Sequence, residues 1–168
     1  MSDIRGLDPQ GKPRDVAVNN RGGVFTDSKA FHTGRIAISG IGTAAAYASG
    51  DAFGGMFTIP VPTEGTIASV VFLDYDDEGL QKDFALFSQT FTATADNSAF
   101  AVSDADLENC IGFITVSNFS NFGNNQVGVA LPALYYVVPQ GILYCQVVTR
   151  GVDNIAVGAV PEFFMVIV

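Results

Sequence analysis

The sequence predicts an all-β fold, a β-sandwich with one short helix behind an extended N-terminal arm. Three observations carry this reading. Short runs rich in Val, Ile, Phe, Tyr and Thr follow one another from residue 35 onward, and these residue types suit a pleated surface. Gly, Pro, Asn and Asp fall between the runs, as turn residues do. No stretch sustains the 3.6-residue apolar period of a helix. At 168 residues the chain suits one domain. A chain of this size buries roughly 68–70% of its unfolded surface, so it needs no disulfide or metal to fold.

Residues 1–34 form the arm. Pro9, Gly11, Pro13, Gly22 and Gly23 discourage a helix there. Within it, Arg14–Val18 and Val24–Thr26 flank the turn-forming Asn19-Asn20-Arg21-Gly22-Gly23 and read as a small β-hairpin. A two-stranded hairpin is marginal in water, so this one needs a surface, either its own domain or a partner. Residues 35–168 are the sandwich. The expected strands are Arg35–Ser39, Ala52–Pro60, Ile67–Asp74, Lys82–Ser88, Phe91–Ala95, Ile111–Asn118, Val127–Leu131, Leu134–Val138, Ile142–Arg150 and Phe163–Val168. Their uneven spacing suits a sandwich with crossing loops better than a meander. The helix is expected at Ser103–Glu108, with Ser103 as N-cap, Asp106 three residues on, and acids in the first turn. Phe163–Val168 is apolar throughout. A strand of that kind is an aggregation hazard at an edge, so it is expected to be covered by the core on one face and another subunit on the other.

Composition narrows the function classes. Apolar residues make up 48% and charged residues 15%, against about 25% charged in a typical domain. With a mean hydropathy of +0.32, this excludes intrinsic disorder. No apolar run reaches membrane-spanning length, and the first residues lack the pattern of a secretion signal, so no membrane association is expected. The net charge of −9 is unevenly spread. Residues 1–35 carry six basic against four acidic side chains, and the rest two against thirteen. A body of that sign repels phosphate, so direct nucleic-acid binding is not expected. The arm is the only cationic part. It reads either as a solvated tail or as a dock for an acidic surface.

Side chains that often carry chemistry are sparse. His32 is the only histidine and lies in the arm, and no Gly-x-Ser-x-Gly motif accompanies it, so it reads as a surface histidine rather than part of a triad. Asp74, Asp76, Asp77 and Glu78 form the densest acidic run. Carboxylates at that spacing resemble calcium ligands, but no Glu closes a twelve-residue loop, and the plainer reading is a solvated turn. Gly40-Ile41-Gly42 and Gly54-Gly55 lack the context of a phosphate loop and mark bends or bulges. Cys110 and Cys145 lie in apolar runs and read as buried thiols; spacing alone does not decide whether they are bonded. No Cys/His cluster suggests zinc. The chain is not expected to be an enzyme, and no cofactor is expected.

Three segments, in this order, carry a family resemblance: Ala46–Gly55 (AYASGDAFGG), Asp96–Leu107 (DNSAFAVSDADL) and Gly141–Gly151 (GILYCQVVTRG). Together they resemble capsid decoration, or cement, proteins of tailed bacteriophages, over about residues 40–168. The resemblance implies a jelly-roll-like β-sandwich, homotrimeric, on the outer surface of the virion capsid, with the major capsid protein as partner and no catalytic residues. It transfers no contact residues. Asp51 and Asp96-Asn97 would organise turns through side-chain-to-backbone bonds, with Phe100 and Leu107 packed beneath. The arm lies outside the matching region, and its cations Arg5, Lys12, Arg14 and Arg21 are the candidates for docking on the capsid. The alternative is a receptor- or glycan-binding head of a phage fibre or tail protein, which the same sandwich would serve.

Overall fold

The computed structural model describes residues 5–7, 13–15, 30–42 and 45–168 of the chain. The strands are β1 (Arg5–Leu7), β2 (Pro13–Asp15), β3 (Phe31–His32), β4 (Ile36–Ala37), β5 (Ala52–Pro60), β6 (Glu64–Asp74) and β7 (Lys82–Phe87). After the helix α1 (Asp104–Leu107) come β8 (Cys110–Val116), β9 (Phe119–Asn121), β10 (Gln126–Ala130), β11 (Leu134–Val137), β12 (Ile142–Thr149) and β13 (Glu162–Ile167). Two antiparallel sheets pack into the expected all-β sandwich. The first runs β3/β4, β13, β6, β10/β11, β9, and the second runs β5, β12, β7, β8. The pairing is nested: β4 with β13, β5 with β12, β6 with β10 and β11, β7 with β8. β6 also pairs with β13 and β7 with β12, while β1 and β2 pair with each other in a separate two-stranded sheet.

The core lies between the sheets. Phe53, Phe72, Phe84 and Phe163 are fully buried there, and Phe84 sits edge-on to Phe72 and Phe163. Alternation assigns the faces, because side chains of a strand point to opposite sides in turn. In β13, Phe163, Met165 and Ile167 point inward and are buried, while Phe164 and Val166 face out half-covered. β13 is not an edge strand; it pairs with β6 on one side and with β3 and β4 on the other. β3 falls within the residues read as arm, yet it is hydrogen-bonded into the sheet.

β7 is buried on both faces. Phe84 and Leu86 join the core, and Ala85 and Phe87 pack on the other side under Phe91, Phe100 and Val102. Those three residues belong to the connection from β7 to β8, which therefore roofs the outer face of the second sheet. Its helix α1 starts as expected. Ser103 caps it, its Oγ accepting the Asp106 N–H at 3.1 Å. The Asp106 carboxylate takes the Ser103 hydroxyl at 2.8 Å and the Thr92 N–H at 3.2 Å.

Several expectations need correction. Phe91–Ala95 is not a strand. Its backbone is held by side chains instead: Thr94 donates its N–H to Gln146 Oε1 at 3.0 Å, and Thr92 donates to Asp106. Leu107 does not pack beneath the turns; it is 56% exposed, because so short a helix lies on the outside with nothing over it. Phe100 does pack, against the second cluster. β9 was not expected, and Arg35–Ser39 contracts to β4. Of the expected hairpin over 14–26, residues 16–26 lie outside the described residues. Arg14 and Asp15 pair with Gly6 and Arg5.

Gly54-Gly55 marks a bulge, as its composition implied. Cys145 pairs with Phe57 and Val147 with Phe53, so three residues of β5 oppose Gln146 alone. Gly54 has φ 79°, and a Cβ there would meet the Ser39 carbonyl oxygen at 2.6 Å. The fully buried Gln146 amide fills the gap, donating to Gly54 O at 2.9 Å and Thr94 O at 2.7 Å.

One buried polar atom, the Tyr136 hydroxyl, has no hydrogen-bond partner among the described residues. Burial pushes its phenol up to about 12. Tyr136→Phe removes an unpaid desolvation cost and should leave stability unchanged or raise it by about 1 kcal/mol in urea unfolding. A loss of more than about 1 kcal/mol would show that the hydroxyl is satisfied after all.

Candidate interaction surface

The two sheets differ in what covers them. The β7–β8 connection roofs the second sheet, but among the described residues nothing covers the apolar outer face of the first. Register builds that face row by row. Phe164, Val71 and Val129 stand abreast on β13, β6 and β10. Val127 and Leu73 form the next row, and Tyr135 with Thr66 and Val137 with Glu64 extend the face along β11. His32 stacks on Phe164 with ring centroids 4.5 Å apart. Tyr135, Val137 and Val129 are 60%, 52% and 40% exposed. Charges keep to the rim: Glu162, which accepts the Tyr75 hydroxyl at 2.8 Å and has Arg35 at 3.9 Å, and Glu64 at the far end. Five strand positions at about 4.8 Å spacing and strands of about 20 Å make a patch about 20 Å on each side. An aromatic and β-branched centre with a charged rim has the anatomy of a protein–protein interface.

The three segments of the resemblance meet at one corner. Gly50 donates its N–H to Thr149 O, Phe100 donates to Gly50 O, and Ala52 donates to Ser98 O, at 2.8–2.9 Å. Asp96 is the hub. Its carboxylate accepts the N–H groups of Gly42 and Gly54 at 2.7 Å and the Tyr47 hydroxyl at 2.8 Å. Burial, and then the neighbouring Asp96, push the Tyr47 phenol well above its usual range. Asp51 accepts the Ala48 N–H at 2.8 Å, and Asn97 takes a left-handed φ of 54°. Asp51 and Asp96-Asn97 thus organise turns, as expected. These groups are spent on holding loops.

The acidic run is likewise a clamp. Asp74 accepts the N–H groups of Asp76 and Gly79 within its own turn. Asp76 and Glu78 reach across to the N–H groups of Ala156 and Asn154, and Asp77 accepts from Asn121 and Gln126. Burial holds the Glu78 carboxyl above its usual range; the Asn154 N–H opposes this, and Asp153, Asp76 and Asp74 add to it. Among the described residues no group of three or more His, Cys, Asp or Glu is placed to hold a metal ion.

Cys110 and Cys145 are free thiols. Geometry settles their relation. They lie in β8 and β12, on either side of β7, with Cys145 opposite Leu86 and Cys110 opposite Phe87. Two strand spacings of about 4.8 Å exceed the reach of a disulfide. Burial raises both thiols, Cys145 strongly. His32 is an exposed edge residue whose Nδ1 accepts the Gly34 N–H at 2.9 Å. Of the docking candidates, Arg5 and Arg14 lie on paired strands β1 and β2, while Lys12 and Arg21 lie outside the described residues.

One arrangement escaped the sequence reading. Lys82, one of two cations after residue 35, is 1% exposed. Its Nζ donates to Asp153 Oδ1 at 2.7 Å and Leu80 O at 2.8 Å, and lies 5.0 and 5.7 Å from the ring centres of Phe53 and Phe72. The Thr149 hydroxyl donates to Asp153 Oδ2. The other cation, Arg150, pairs with Asp83 at 2.6 Å. A lone Lys heading an apolar strand was the available signal, since such a charge is buried only when paired. Comparison of the chain with family models, curated proteins and solved structures gives no match.

Proposed function

We propose that this protein is a non-enzymatic decoration protein of a tailed-phage capsid, a homotrimer that binds the major capsid protein on the outer surface of the head. The observation that carries the reading is the apolar outer face of the first sheet, which no other described residue covers and which is built around β13. A folded domain leaves such a face open when another protein covers it. Its rim-confined charge lets copies of an acidic body meet there without like charges in contact. The all-β sandwich supports the fold class of the reading, and the jelly-roll topology is part of the proposal. The three segments of the resemblance converge on a corner that fixes loops, which suits a shared scaffold rather than a shared reaction. Binding only the assembled shell would stabilise it by mass action.

The experiment is re-addition of purified protein to undecorated capsids, with occupancy counted by cryo-electron microscopy. Hundreds of copies on the outer shell are expected, while a handful at the tail would favour the receptor- or glycan-binding alternative. Removing residues 1–29 spares β3 and its bonds to β13. It should lower capsid occupancy at least tenfold, about 1.4 kcal/mol, while self-association persists. Unchanged occupancy would remove Arg5, Lys12, Arg14 and Arg21 from the docking role.

A further inference from the structure

We propose that Lys82 and Asp153 join in an intramolecular amide bond, an isopeptide cross-link between β7 and the loop after β12. Four features of the site meet the chemistry of that step. The amine and carboxyl are both within 1% of full burial, so bulk water neither competes with the amine nor drives hydrolysis. The Nζ–Oδ1 contact is 2.7 Å, which places the carboxyl carbon at most one C–O bond beyond. Both partners are held from independent elements. Lys82 is fixed by the Leu80 carbonyl and two Phe rings, and Asp153 by its own backbone carbonyl, which accepts the Tyr47 N–H at 2.8 Å. Such fixation turns an encounter into an intramolecular reaction with a high effective concentration. Finally, the Thr149 hydroxyl donates to Oδ2, the oxygen that would carry negative charge as the carbon becomes tetrahedral.

The balance needs no other reactant. One proton passes across the Nζ–Oδ1 contact, so that ammonium and carboxylate become amine and acid. The nitrogen lone pair then attacks Cγ, the N–C bond forms, and the Cγ–Oδ1 bond breaks. Of the three ammonium protons one stays on the amide nitrogen and two leave with Oδ1 as water. Oδ2 remains as the amide oxygen, still bonded to Thr149. The product removes a buried ion pair and closes a loop of 71 residues across the sandwich.

Intact-mass spectrometry of the purified full chain after denaturation tests this directly. The chain should be lighter than its sequence by one water, and proteolysis should release a branched peptide joining Lys82 to Asp153. On a reducing denaturing gel it should migrate faster than Lys82→Arg or Asp153→Ala, both of which keep the full mass. A wild-type chain at full sequence mass, or a water loss mapped to another pair, overturns the proposal. That reading does not depend on whether either variant folds.

Discussion

If copies meet on the outer face of the first sheet as proposed, Val129→Glu combined with Tyr135→Glu should convert the proposed homotrimer to a 17.7 kDa monomer in light scattering, with its melting temperature little changed. Both side chains are exposed, at 40% and 60%, so the isolated subunit tolerates the change within about 0.5 kcal/mol per site. The assembly does not. Val129 stands in the central row with Val71 and Phe164, where no charge lies in the unmodified protein. A second copy seated on this face would bury each new carboxylate without a partner, at several kcal/mol per ion. A loss of at least a hundredfold in association, about 2.7 kcal/mol, is the expected result. Wild-type protein that is already monomeric at micromolar concentration, or a double variant that still assembles, would show that this face is not where copies meet. The same substitutions on the roofed second sheet would instead disrupt the fold, since Ala85 and Phe87 are buried by the chain's own β7–β8 connection.

That difference between sheets explains much of what the sequence revealed and what it hid. Strand composition marked β5 at its observed bounds, and the central strands β7, β12 and β13 within a residue or two, because β-branched and aromatic runs leave little alternative. The Ser103 cap was legible because capping is local, three residues from donor to acceptor. Phe91–Ala95 misled because it has strand composition but draws its hydrogen bonds from Gln146 and Asp106, which are distant in sequence. Lys82, Asp153 and Thr149 fall outside any motif because their meeting depends on how the sheets pack. Gln146 looked like one polar residue in an apolar strand; its role follows from a bulge in the neighbouring strand. The apolar outer face of the first sheet was only half legible. The apolar run of the last strand pointed to a cover on both sides, but which residues share the outer face depends on register with β6 and β10.

Asp96→Ala should destabilise the protein by about 3–5 kcal/mol, since charge-assisted hydrogen bonds are worth about 1.5–3 kcal/mol each and those in one cluster do not add fully. The substitution strips the carboxylate from the Gly42 and Gly54 N–H groups and from the hydroxyl of Tyr47, a residue only 1% exposed whose remaining acceptor is the Gly42 carbonyl at 3.4 Å. Gly54 has nowhere to go. Its φ of 79° and the nearby Ser39 carbonyl pin it in the bulge that Gln146 fills, so an orphaned N–H there cannot turn to water without breaking the β5–β12 register. Asp96→Asn can set its amide oxygen at the Oδ1 position, where it still accepts from Gly54 and Tyr47, and turns its NH2 only toward the exposed Gly42 N–H, so it should recover more than half of the loss. Tyr47→Phe removes one donor together with its need for Asp96. The two changes combined should therefore cost about 1 kcal/mol less than their sum, measured as a double-mutant cycle in urea unfolding. A loss below about 1 kcal/mol for Asp96→Ala would mean that the three segments are held together by packing alone.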